Sequence, residues 1–600
     1  MTSRKALSVI GIIAIFLVSV AFSQTLEDTW NDFLHYIKIG RFDLAAGYAQ
    51  LILQSNPDST TLLALSKANP EGYEILQRVN EAAPDAALAE LTGKILDIVE
   101  QGRFTRRAEP KFVAEEVRRL STTERGRLTA VKRLQDAGEY AVPFMLDAIA
   151  DESRKNELPY LVWALPQIGR DSIRPLAAAL QTENVAVKAE IIKAMGKIGY
   201  GASQPYLRYV FETDKSAELR ELARNSMLKI DPATAKVAAA NLFYQIAQKY
   251  YYHTQSLAPA EDANFANIWF WDPNSQKLVR EEVDRSYFNE LMAMQCCEWA
   301  LRADPAFGSA IGLWLAAFFK AESAGVEMPA YFGERHADAL VYATTAGVEY
   351  LHQALARAVK DKDAYVALGI VEALAITAGE KSLLYRVGPE QPLVQALSFN
   401  DKMVRYSAAI AVASAGPKEG FPASKLVVKN LADALSESSE SIGNETQGSG
   451  AWTQEIANSY ALRAAKVMLK LAQTRNRAVD LSGALTALVN ATNDKRTEIR
   501  TLAAQILAYL NSPDAQRAIA AMALSSDNSL EVRISAFESL ATSAKLNANM
   551  LIDQMIDGIY TLISSDETDP ALRGAAAAAY GSLNLPSQKV KDLILDQAKS

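Results

Sequence analysis

The sequence predicts an all-α solenoid, a row of stacked helical hairpins with one short β-hairpin inserted. Two patterns predict it. Gly138, Gly169 and Gly199 recur at intervals of 31 and 30 residues, and Pro143, Pro175 and Pro205 follow them at 32 and 30. A period near 30 marks one helix–turn–helix unit used repeatedly, because such a unit buries its apolar face only against its neighbours. An apolar residue followed by a base also recurs after an acidic or polar turn. It stands at Val187-Lys188, Leu219-Arg220, Val404-Arg405, Ile499-Arg500, Val532-Arg533 and Leu572-Arg573. Composition agrees: 600 residues exceed one ordinary core, and 49% hydrophobic with 22% charged residues is a globular balance.

Residues 1–23 have the form of a secretory signal. Arg4 and Lys5 supply the charged start, Ala6–Val20 the apolar run, and Ala21-Phe22-Ser23 the small residues before a cut between Ser23 and Gln24. An uncleaved anchor is the other reading, but the apolar run is short for a spanning helix. Cleavage predicts a mature chain in a periplasm or outside the cell, with no transmembrane segment. It removes two bases and no acid, so the formal charge of −8 becomes −10. No basic stripe remains that would footprint a nucleic acid. Cys296 and Cys297 are adjacent and therefore poorly placed to bridge each other, so no disulfide framework exists. On a helix they read as two small buried hydrophobes, with a redox or metal role as the alternative.

Along the chain, 24–105 reads as short helices and 106–137 as an amphipathic connecting helix. Repeats follow over 138–240. Residues 241–345 break the period, with a helix from Asn241 to Tyr252 and a strand–turn–strand near 267–281. Repeats resume over 346–435. The Ser/Glu/Gly-rich stretch 436–450 reads as a flexible linker, and 451–600 as repeats with a C-terminal cap.

The glycine-then-proline units resemble HEAT repeats, especially the short type named after phycobilisome lyases. Ile168-Gly169-Arg170-Asp171-Ser172-Ile173-Arg174-Pro175-Leu176 and Ile198-Gly199-Tyr200-Gly201-Ala202-Ser203-Gln204-Pro205-Tyr206 carry the likeness. Tyr36, Gly40, Phe42, Ala45 and Pro57 resemble a tetratricopeptide unit, departing from it at Ile52, where the family prefers alanine. Ala293, Cys297, Ala300 and Pro305 have the spacing of another. The HEAT resemblance implies that Lys188, Arg220, Arg405, Arg500, Arg533 and Arg573 form a structural ladder between repeats. Acids just upstream (Glu183, Glu218, Asp401, Glu498, Glu531, Asp569) would cap helices or pair with those bases. An anion-binding row is the alternative. The resemblance also implies a scaffold that binds protein partners, by analogy of fold.

No catalytic motif is visible. The four histidines have no metal-ligand spacing, and no phosphate loop, nucleophile elbow or calcium loop occurs. No cofactor or metal is expected. The one local peculiarity is aromatic. Tyr244, Tyr250, Tyr251, Tyr252 and His253 precede Phe265, Trp269, Phe270 and Trp271. Tyr250, Tyr251, His253, Trp269 and Trp271 are the candidate binding patch, for peptide or sugar. Alternatively the hairpin plugs a joint between repeat blocks. A carbohydrate-binding protein or polysaccharide lyase would use residues 244–281, with Tyr250 to His253 and Arg280 as candidates for base and charge neutraliser. Action on a bilin, suggested by the name of the repeat subtype, fits poorly with an export signal.

Overall fold

The computed structural model describes residues 25–82, 86–259, 264–333, 335–380, 382–437 and 445–586, with scattered positions up to 595. The expected signal segment, its cleavage point and most of the expected C-terminal cap lie outside these residues. The chain divides into two compact units. The first takes in the chain up to Ala235 together with Trp269–Arg280, and the second comprises Lys236–Ile268 and Glu281 onward. Both are stacks of helical hairpins, and the described residues are all-α apart from two two-stranded sheets.

In the first unit, α1 (Leu26–Lys38) opens on a capping box in which Thr25 and Asp28 satisfy each other's backbone amides. Gly40, at φ +74°, turns the chain into α2 (Phe42–Gln54), and Tyr36 stacks on Tyr48 at 5.3 Å. Asp58 caps α3 (Ser59–Ala68) by accepting from the Thr61 amide. With α4 (Pro70–Ala82) and α5 (Ala86–Ala108) these helices enclose Trp30, Phe33, Ile52, Leu62 and Leu76. Residues 106–137, expected as one connecting helix, instead end α5 and form α6 (Pro110–Arg119) and α7 (Glu124–Ala137). Pro110 can only start a helix, and Thr123 accepts from the Gly126 amide to begin the next. The buried Glu116 between them is held by Arg119 at 3.2 Å and Arg133 at 2.7 Å.

The repeats of this unit are α8 (Ala141–Ala150), α9 (Leu158–Ala164), α10 (Ile173–Ala179), α11 (Val185–Ile198), α12 (Gln204–Thr213) and α13 (Ala217–Ile230). All three periodic glycines have positive φ, and all three prolines fall within the first turn of the following helix. Gly199 is left-handed helical, whereas Gly169 combines φ +83° with ψ −154°, a conformation that is essentially glycine's alone. Where α11 crosses α13, a Cβ on Gly196 would lie 2.6 Å from Ser226 Oγ, which itself donates to the Ile192 carbonyl at 3.2 Å.

The second unit begins with α14 (Ala239–Tyr251). The inserted hairpin is β1 (Phe265–Asp272) and β2 (Lys277–Asp284). Its turn forms because the Asp272 carboxylate accepts from the Asn274 and Ser275 amides. Then come α15 (Arg285–Ala303), α16 (Ser309–Glu322), α17 (Ala339–Ala346), α18 (Val348–Asp361), α19 (Ala364–Thr377), α20 (Pro392–Ala396), α21 (Lys402–Ala415) and α22 (Ser424–Ser436). Cys296 and Cys297 are free thiols sealed in the core on α15, and burial pushes the Cys297 thiol well up.

The segment expected as a flexible linker is ordered over its described part. β3 (Glu445–Gln447) pairs antiparallel with β4 (Gly450–Trp452), Glu445 opposite Trp452. Ser449 donates to Asp401 from its amide at 2.9 Å and its hydroxyl at 2.8 Å. Trp452, just past the predicted linker, is buried and stacks on Tyr460 at 5.7 Å. That apolar anchor turns a polar stretch into a small sheet. The stack closes with α23 (Gln454–Gln473), α24 (Leu485–Ala491), α25 (Thr497–Leu507), α26 (Pro513–Leu524), α27 (Leu530–Asn547), α28 (Asp553–Ser564) and α29 (Pro570–Ser582).

Candidate functional site

The five predicted patch residues are divided between the units, Tyr250, Tyr251 and His253 in the second and Trp269 and Trp271 in the first. Trp269 belongs to the first unit, is buried, and donates from Nε1 to Glu139 Oε2 at 2.8 Å. The same oxygen accepts from Arg174 at 3.0 Å. Trp271 is half-buried, with its Nε1 enclosed. Arg280 lies over the Tyr140 ring at 5.0 Å. These contacts dock the hairpin tip on the repeats of the first unit. Tyr250 and Tyr251 are core residues of the second unit, Tyr250 edge-on to Phe288. The Tyr251 hydroxyl is enclosed without a partner, and burial drives it far above the ordinary phenol range. Of the lyase candidates, Tyr250 and Tyr251 are thus buried, while Tyr252 and His253 keep exposed side chains. His253 is half-exposed and pairs through Nε2 with the buried Glu290 at 2.6 Å.

The six ladder bases have several partners. Lys188 reaches Asp214, at the turn into the next repeat helix, at 3.0 Å. Arg220, Arg405, Arg533 and Arg573 donate to main-chain carbonyls at the end of the preceding helix or in the turn after it, and Arg573 also lies 3.7 Å from the Asp566 carboxylate. Arg220 takes those of Asp214 and Lys215, Arg405 those of Phe399 and Asn400, Arg533 that of Ala523, and Arg573 those of Ser565 and Thr568. A cation there satisfies carbonyls left open by the helix and meets the negative end of its dipole. Arg500 donates to Thr497 Oγ1 at 3.2 Å. Of the upstream acids, Asp401 and Asp569 cap helices, and Glu498 pairs with Lys466 at 3.2 Å.

A different site stands out in the second unit, an open groove of about 1080 Å³ with three walls. The first is α14. Tyr244, Gln248 and Tyr252 are four residues apart and line the groove, while Phe243, Ile246, Ala247 and Tyr250 fill the core behind them. The second is α18, where Gln353, Ala356, Arg357 and Lys360 line the groove and Leu351, Ala354, Leu355 and Ala358 are buried. The third is the loop Tyr385–Glu390, closed by reciprocal main-chain bonds between Val387 and Glu390 at 3.0 and 3.2 Å.

Arg357 is the centre of this groove. Its Nη1 donates to the Tyr252 hydroxyl at 2.7 Å and its Nη2 to the Tyr244 hydroxyl at 3.0 Å. The guanidinium also lies 5.5 Å from the Tyr251 ring and 5.6 Å from the Tyr252 ring. Tyr252 in turn donates to Asp361 Oδ1 at 3.3 Å. On the other side of α18, His352 is buried, stacks on Tyr385 at 5.6 Å and bonds the Ser382 carbonyl through Nε2 at 3.1 Å. A carbonyl only accepts, so Nε2 carries a proton. Burial lowers its pKa to about 4. His352 thus positions the loop that forms the third wall.

The sequence marked Tyr244 and Tyr252 as part of an aromatic segment but missed Arg357, Lys360, Tyr385 and Arg386, which lie more than 100 residues away. The four-residue spacing from Tyr244 to Tyr252 was the available signal, since it separates this face from the core face of Tyr250.

Fold and contacts together define a helical-repeat protein. Residues 142–227 match the family model of HEAT repeats. Among solved structures the chain is similar to UNC-45 from Drosophila melanogaster, at 13% identity over 95% of this chain and 85% of that one, with a TM-score of 0.31. It is similar to She4p at 11% identity, covering 93% and 84%, with a TM-score of 0.27. Importin beta matches at 10% identity, covering 95% and 87%, with a TM-score of 0.23. Scores this low carry no argument about this chain. No curated protein matches the sequence. Among the described residues, no helix is long and apolar enough to cross a membrane, and no three His, Cys, Asp or Glu gather as metal ligands.

Proposed function

We propose that this chain is a non-enzymatic protein-interaction scaffold of the periplasm or cell exterior, binding its partner through the groove at Arg357. The groove itself carries the reading: a large, open, polar concavity on a repeat stack, lined by tyrosine and arginine, the residue types that dominate protein-binding hot spots. The HEAT-repeat array supports it at the level of fold. The export signal read in residues 1–23 supports the location.

A photocrosslinking residue placed at Gln248 or Gln353, on two walls of the groove, should capture the same protein in intact source cells. The same probe at the exposed Arg224 of the first unit should not. Capture that is equal at all three positions, or nowhere, overturns the reading. A mature chain starting at Gln24 in the envelope or medium supports the location, and a full-length cytosolic chain refutes it.

A further inference from the structure

We infer that the groove docks an acidic segment of the partner protein, with Arg357 as the anchor for its carboxylates; this rests on the scaffold reading and narrows it. A guanidinium has five N–H donors in a planar fork that matches a carboxylate. Arg357 commits two of them, to Tyr244 and Tyr252, and none to a carboxylate. Both tyrosine bonds hold the fork in place, and the Tyr252–Asp361 bond fixes one of the rings that orients it. The bound ligand would therefore meet a preorganised cation, with little side-chain entropy left to lose.

Charge around the anchor points the same way. Lys249, Lys360 and Arg386 also line the groove, and none of them makes an ion pair among the described residues. Glu390 is the one acid in the lining, so the groove carries +3 in a chain of −8. Unpaired cations concentrated against the sign of the whole molecule attract and orient an acidic partner. The open groove suits an extended segment better than a single small anion, because small-ligand sites bury most of their ligand's surface. The amides of Gln245, Gln248 and Gln353 can bond a peptide main chain lying along the groove.

The test is fluorescence anisotropy with the full chain and a labelled peptide of alternating Glu and Gly. The control is the same peptide with Gln for Glu. The Glu peptide should saturate, the Gln peptide should not, and raising salt from about 0.05 to 0.5 M should weaken binding at least about tenfold. Arg357→Gln should weaken it about tenfold or more. Lys249→Gln with Lys360→Gln, on two exposed side chains whose loss leaves the core intact, should do the same, while Arg224→Gln should not. Thermal melts identify a variant that has merely unfolded, and the lysine pair then decides. Absence of Glu-peptide binding, or binding unmoved by the lysine pair, overturns the inference. So does displacement by inorganic phosphate at equal affinity, which would make this a general anion site. Groove crosslinks that still capture one protein in those cases leave the scaffold reading standing, so the two failures are distinguishable.

Discussion

His352 shows how one side chain ties the groove to the core. It is neutral in the fold, with a pKa of about 4 against an ordinary 6.5. Between those values the unfolded chain binds a proton that the folded chain refuses, so stability is fully present above the upper value and falls as pH drops through the window. Going from pH 7 to pH 5 should cost about 2 kcal/mol through this residue alone. Urea midpoints at the two pH values should therefore separate further in the wild type than in His352→Gln, whose amide keeps a donor for the Ser382 carbonyl. Equal separations would show that another group governs the acid sensitivity. Gly169 offers a second test at this scale. Nothing lies within 4 Å of a Cβ placed there, so Gly169→Ala is opposed by backbone conformation alone. A loss of about 1–3 kcal/mol is expected in denaturant unfolding.

At the scale of elements, the β-hairpin is a docked structural element. Two strands alone are marginal, and this tip is held by the Trp269–Glu139–Arg174 contacts and by Arg280 on Tyr140. Trp269→Ala with Trp271→Ala should lower the melting temperature sharply, with a cost of about 3–5 kcal/mol for the buried Trp269 alone. Trp269→Phe keeps most of the apolar contact and leaves Glu139 to Arg174, so it should cost less. A double variant that melts like the wild type would put both rings at the surface and restore the binding-patch reading. The α11–α13 crossing is equally specific. Gly196→Ala drives a methyl into Ser226, and the helices must separate or lose the Ser226–Ile192 bond.

At the scale of the whole molecule, stacked repeats share contacts mainly with their neighbours, as α11 does with α13 and α25 with α27. Stability in such arrays is a sum of local and nearest-neighbour terms. Gly196→Ala should therefore speed hydrogen exchange across α10–α13 and leave α25–α29 unchanged. Uniform acceleration from end to end would mean that the chain opens as one cooperative body.

The sequence by itself determined the helical-repeat architecture. The glycine and proline period reports backbone needs that are local: a positive φ to leave one helix and a fixed φ to enter the next. Helix caps at Asp58, Asn184, Asp401 and Asp569 are legible for the same reason, since a cap touches residues two or three positions away. The main-chain carbonyls that take Arg220, Arg405 and Arg533 were not legible, because a loop carbonyl leaves no mark in the residue types. Tertiary structure alone decided the site. Arg357 meets Tyr244 and Tyr252 across more than 100 residues, and the Tyr385–Glu390 loop joins them with His352 stacked on Tyr385 and bonded to Ser382. Which of five neighbouring aromatics faces solvent depends on the phase of α14 against α15 and α18. The four-residue spacing of Tyr244, Gln248 and Tyr252 marks them as one face of α14, but only packing against other helices decides that this face is the open one.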